Sequence, residues 1–105
     1  MVKIEITPQA LSDIDNIADY IAKDSIHYAE VQVQRIYATI DYLFENIQIG
    51  RVVPEVNRKY LRELILGNYR IIYKVVSKTE VHILTVYHSK RKLRAKDFVG
   101  KTKVY

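Results

Sequence analysis

Residues Val2 to Ile6 alternate apolar and polar, with Val2, Ile4 and Ile6 set against Lys3 and Glu5, the period of a half-buried strand. Thr7-Pro8 then reads as an N-cap followed by proline at the first helical position, where its missing N–H costs nothing. Leu11, Ile14, Ile17, Ala18 and Ile21 recur at three and four, giving one apolar stripe opposite Asp13, Asp15 and Asp19. Asp24-Ser25 interrupts the pattern and caps a second, longer helix, in which Ala29, Val33, Ile36, Ile40, Leu43 and Ile47 step by four and three. A turn this short predicts an antiparallel helical hairpin. Every member of the two stripes is aliphatic and none can ligate or titrate, so both read as core.

Gly50 to Lys59 (GRVVPEVNRK) is predicted to be an extended connector, and after it the period changes from 3.6 to 2. Tyr60–Leu66, Tyr69–Val76 and Val81–Tyr87 are rich in β-branched and aromatic residues, and Gly67-Asn68 between the first two is a two-residue hairpin signal. Ser77 to Glu80 makes the next turn. The expected fold is α+β, in the order β-α-α-β-β-β, with the helical hairpin on one face of a small, mainly antiparallel sheet.

Pairing Leu66 with Tyr69 and Val76 with Val81 places Arg62, Leu64, Tyr69, Ile71, Tyr73, Leu84, Val86 and His88 on the face expected under the helices. Leu61, Glu63, Ile65, Arg70, Ile72, Lys74, Ile83, Thr85 and Tyr87 then share the other face. Two helices cannot cover both faces, so the apolar part of the second suggests a cleft or a partner surface. A change in the length of the second turn would invert the parity of the last strand.

At 105 residues the chain is expected to form one domain, 1–105, with a basic tail from about residue 89. It has no cysteine, which excludes a disulfide framework, a thiolate metal site and a cysteine nucleophile. No apolar run approaches the length of a signal peptide core or a membrane span, so the expected location is the cytoplasm. Charge is distributed unevenly. Residues 1–50 hold three Lys and Arg against eight Asp and Glu, net −5, whereas residues 51–105 hold fourteen against four, net +10. The second half is therefore expected to meet a polyanion or an acidic protein, although a run such as Lys90-Arg91-Lys92 also serves as an ordinary solvated surface.

No phosphate-binding glycine loop and no His-Glu-x-x-His helix is present. His82 and His88 lie on one strand but roughly 20 Å apart at about 3.3 Å per residue, too far to share a metal, so no metal or cofactor is expected. What remains is a polar group on or beside the later strands: Glu55, Arg62, Arg70, His88 and Arg91. Cleavage of RNA through its 2′-hydroxyl needs a base, cations for the developing phosphate charge and an acid for the leaving oxygen, and these residue types supply all three. Each also has a plain structural use: Arg62 in a surface pair, Arg70 in holding the connector, His88 at a strand end.

Four segments in order, ALSDIDNIADYIAKDS, GRVVPE, RELILGNYRIIYKV and VYHSKR, resemble the RelE/ParE superfamily of bacterial toxins from type II toxin–antitoxin modules. The likeness runs from about Ile4 to Arg91 and is strongest to the ParE-like, plasmid-stabilisation branch. It implies the fold already expected and a growth inhibitor held inactive by a cognate antitoxin, for which Leu61, Ile65 and Ile72 offer an apolar contact. The superfamily's targets differ: ParE-like proteins are associated with DNA gyrase, and RelE-like proteins cleave mRNA on the ribosome. Should this chain be an endoribonuclease, the resemblance assigns catalysis to Glu55, Arg70 and His88. Ser89, where a nuclease branch has tyrosine, departs from that pattern. Arg62, Lys90, Arg91 and Lys92 are the expected contacts to a target or nucleic acid, and a non-toxic binding module with this fold is the third reading.

Overall fold

A computed structural model describes residues 1–90 of the chain. Strand β1 (Lys3–Ile6) leads into helix α1 (Pro8–Ala22), and Thr7 caps it by accepting the Ala10 N–H on its hydroxyl at 3.2 Å. Ser25 does the same for helix α2 (Ile26–Asp41) through the Tyr28 N–H at 3.1 Å. The second stripe persists beyond α2, but the backbone does not stay α-helical: residues Tyr42–Phe44 tighten into a 3₁₀ turn that keeps Leu43 fully buried. The stripe on α1 needs one correction. Ala10 and Ile14 face the sheet and Leu11 is 44% exposed, because the small Ala10 marks the side on which the helix packs and Leu11 lies a residue around from it.

Among the described residues the later half contains four strands rather than three. The connector begins with a two-residue strand, β2 (Arg51–Val52), antiparallel to β3 (Leu61–Leu66); β4 (Tyr69–Ser77) and β5 (Glu80–His88) complete the meander. The sheet runs β1-β5-β4-β3-β2 and is mixed, since β1 joins β5 in parallel while all other pairs are antiparallel. Leu66 pairs with Tyr69 as expected, and Gly67 takes the positive φ of +55° that such a two-residue turn requires at its first central position.

Between β4 and β5 the anticipated register holds from Tyr69↔His88 to Ile72↔Thr85, then slips by one at a bulge that leaves Leu84 without an opposed residue. The slip reverses the faces expected for two residues. Ile83 packs with Ile14, Ile36, Ile40, Leu43, Ile71 and Tyr73 under the helices, whereas Leu84 joins Val53, Leu61, Ile72 and Tyr87 on the other side. The expected register returns at Ser77↔Glu80 after a second irregularity that skips Val76, so the cause lies in the two slips within the strands and not in the length of the turn.

The second face is therefore not open. Val53 is fully buried and Val56 packs beside it, so the connector roofs the strip formed by Leu61, Ile72, Leu84 and Tyr87. Leu61 and Ile72, expected to offer an apolar contact to an antitoxin, are 1% and 0% exposed, and of that trio Ile65 alone, at 53%, presents surface. No helix among the described residues is long and apolar enough to cross a membrane.

Candidate functional site

The charged residues of the later half converge where the connector crosses the end of the sheet. In β3 and β4 the residues next to core positions point away from the helices, which aims Glu63 and Arg70 at the same side. The Arg70 guanidinium donates through Nε to Glu63 Oε1 at 2.7 Å, and its two terminal nitrogens donate to the two oxygens of Glu55, each at 2.8 Å. The other Glu63 oxygen accepts from Nε of Arg51. Two arginines and two glutamates thus form one chain, Arg51–Glu63–Arg70–Glu55, with no net charge.

Burial gives this chain its character. The Glu63 side chain is 0% exposed and that of Arg70 is 10%, whereas Arg51 and Glu55 reach solvent. Hydrogen bonding to Glu55 is the main reason that the Arg70 pKa lies above its ordinary value, and the same bond holds the Glu55 carboxyl below the usual range against the opposing effect of burial. Each shift strengthens the charged form of its own group. A general base is best tuned toward the working pH, and Glu55 is displaced the other way.

His88 does not join this chain. It pairs across the ladder with Tyr69, next to Arg70, and adjacent strand residues face opposite sides of a sheet. The imidazole stands edge-on to the Tyr69 ring, with centroids 5.3 Å apart, and lines a cavity of about 380 Å³ with Asn16, Ile17 and Tyr20 on the helix side. Its Nδ1 accepts the Lys90 backbone N–H at 3.1 Å, so in the neutral ring Nε2 carries the proton. Of the three residues assigned to catalysis, Glu55 and Arg70 are brought together as an ion pair, and His88 is placed on the opposite face.

Arg62 is engaged but forms no ion pair among the described residues. It donates to the carbonyl oxygens of Gly50 at 2.9 Å, Lys59 at 3.1 Å and Gln48 at 3.4 Å, holding the start of the connector while its charge stays beside a cavity of about 580 Å³ shared with Lys59, Tyr60 and Val75. Behind it, the Tyr73 hydroxyl donates to Ile47 O and accepts from Gly50 N, both at 2.9 Å, and burial raises the phenol pKa. Gly50 is required here by space, since a Cβ would meet Glu63 O at 2.6 Å and the Tyr73 ring at 2.7 Å. Lys90 is exposed at the end of the described residues. Arg91, Lys92 and most of the basic tail lie outside them.

Two arrangements had no clear mark in the sequence. Asp13, expected on the polar side of α1, accepts from the Thr85 hydroxyl and, at 3.1 Å, from the Val86 N–H, closing the edge of β5 beyond the end of β1. On the other face, the parallel β1–β5 register sets Glu5 opposite His82, close to Glu80. Residue spacing relates His82 to His88, whereas its actual neighbour comes from a strand 77 residues away in number. An apolar groove of about 360 Å³ also runs between the helices, floored by Ala18, Ala22, Ala29 and Val33 and edged by Asp19 and Glu30.

The chain matches, over residues 4–93, the family described as the ParE toxin of the type II toxin–antitoxin system parDE. It is also similar to a solved structure described as the chromosomal ParDE TA system from P. aeruginosa. There the sequence identity is 25% and the TM-score 0.71, with 86% of this chain and 98% of that chain covered. No curated protein gives a significant match.

Proposed function

We propose, from the premise that this chain belongs to the ParE toxin family of type II toxin–antitoxin systems, that it arrests growth by binding and inhibiting DNA gyrase rather than by cutting mRNA. The observation that carries this reading is the closed ion chain. An arginine that stabilises a developing phosphate charge must offer unspent donors in the open, yet Arg70 gives three hydrogen bonds to two carboxylates and is 9% exposed. Releasing it would leave the fully buried Glu63 with Arg51 alone, at a cost of several kcal/mol for a broken buried pair. With His88 on the other face, no base, cation and acid surround one phosphate.

A toxin of such a system has a cognate antitoxin. The antitoxin's acidic residues are drawn to Arg62 and Lys59, which have no ion-pair partner among the described residues, and Ile65 supplies the apolar contact. Expression without antitoxin is expected to stop growth and leave plasmid DNA under-supercoiled, with purified toxin inhibiting gyrase in vitro. Normal supercoiling in arrested cells would count against gyrase as the target, and harmless accumulation of folded protein would support the non-toxic binding module instead.

A further inference from the structure

We propose that Glu5, Glu80 and His82 form a binding site for a divalent transition-metal ion of the zinc class, at the β1–β5 edge on the face turned away from the helices. The site is separate from the ion chain of Arg70 and does not depend on the identity of the toxin's target.

Topology creates the constellation. Parallel pairing puts Glu5 opposite His82, and residues 80 and 82 point to the same side of β5 because strand side chains alternate. His82 Nε2 lies 2.8 Å from Glu80 Oε2 and 3.4 Å from Glu5 Oε2, and one ligand atom from each of the three falls within 4.8 Å of the others. A tetrahedral zinc ion about 2.0–2.2 Å from nitrogen and oxygen donors requires those donors roughly 3.3 Å apart, so the observed spacing needs only small side-chain adjustments. Three protein donors would leave a fourth position for water.

The donor types narrow the metal. Magnesium and calcium favour oxygen ligands alone, whereas one imidazole with two carboxylates suits zinc, cobalt, nickel or manganese. Position favours a defined geometry, since the His82 side chain is 14% exposed and its strand is paired on both sides, by β1 and by β4, while Glu5 at 53% leaves a path for entry.

Among the described residues, two carboxylates and an imidazole meet in one small volume, a donor set that a metal cation complements. A proton on His82 is the rival cation, and it would make the cluster a simple hydrogen-bonded ion pair. A metal would instead bridge the first strand to the last, and β1 is held in the sheet through β5 alone.

Zinc chloride titrated calorimetrically into the untagged chain at neutral pH separates the two. The expected result is one ion per chain, with affinity at least tenfold weaker in His82→Ala and in Glu5→Gln but unchanged in His88→Ala and His27→Ala. The melting temperature should rise with free zinc, on the order of 10 °C at a hundredfold excess over the dissociation constant. Absence of zinc binding by the parent chain would overturn the proposal, as would undiminished affinity in His82→Ala. Should His82→Ala fail to fold, Glu5→Gln, at an exposed position, decides: full affinity there would overturn the site.

Discussion

On the helix side of the sheet, Ile14, Ile36, Ile40, Leu43, Ile71, Tyr73 and Ile83 pack into one core in which aliphatic side chains predominate. On the other side, a smaller strip of Val53, Leu61, Ile72, Leu84 and Tyr87 lies under a ten-residue connector that is tied down by Arg51, Glu63, Arg70 and Glu55. The first face is held by area removed from water, a non-directional effect that tolerates exchange among residues of similar volume. The second depends on a few directed bonds whose loss strands charge in the interior. Glu55 and Arg70, two of the three residues named for catalysis, are consumed by that second form of support and His88 lies on the other face, which is why the proposed function rests on recognition and not on reaction.

This contrast can be broken most severely at Glu63. Glu63→Ala should destabilise the fold by about 3–5 kcal/mol, because it leaves the Arg70 guanidinium buried against half of its partners. Chemical denaturation measures the loss. On the helix side, Ile36→Ala should cost about 2–5 kcal/mol through transfer and cavity terms, with little dependence on salt or pH. A strong pH dependence of the Ile36 effect would blur the distinction between the faces.

Gly50→Ala probes the joint between them, because the added methyl meets both the β3 backbone and the Tyr73 ring; an overpacking cost of about 1–3 kcal/mol is expected in thermal melts. The smallest effect belongs to Glu55→Gln, roughly 1 kcal/mol or less at neutral pH, since this end of the chain is partly solvated. It should nevertheless change the pH profile. The folded-state Glu55 carboxyl is held below its ordinary value of 4.5, so its stabilisation is present above that pH and is lost as pH falls through the lower folded value. Glu55→Gln should flatten stability against pH in that acid window; an unchanged profile would show that the Glu55–Arg70 pair contributes nothing there.

Local pattern was enough for the parts of the fold that local physics determines. Thr7-Pro8 and Ser25 cap the two helices where their side chains predict, and the Ala29-to-Ile47 stripe faces the sheet because helical periodicity leaves one face apolar. Gly67-Asn68 closes its hairpin for the same kind of reason. The bulge at Leu84 was not legible, since nothing in VHILTVY marks an unpaired residue, and the slip there exchanged the faces of Ile83 and Leu84. Strand β2 escaped notice because two residues carry no period. The charged residues were found but their relations were not: Glu55, Glu63 and Arg70 are far enough apart in sequence that only the folded register makes them partners.

Mapping RNA 5′ ends genome-wide after toxin induction, in parallel for the parent chain and His88→Ala, tests the central claim most directly. A toxin whose Arg70 is locked into support should produce arrest without new cleavage ends, and His88→Ala should arrest growth equally well. Abundant new ends within coding sequences that disappear in His88→Ala would contradict the account and return the protein to the nucleases.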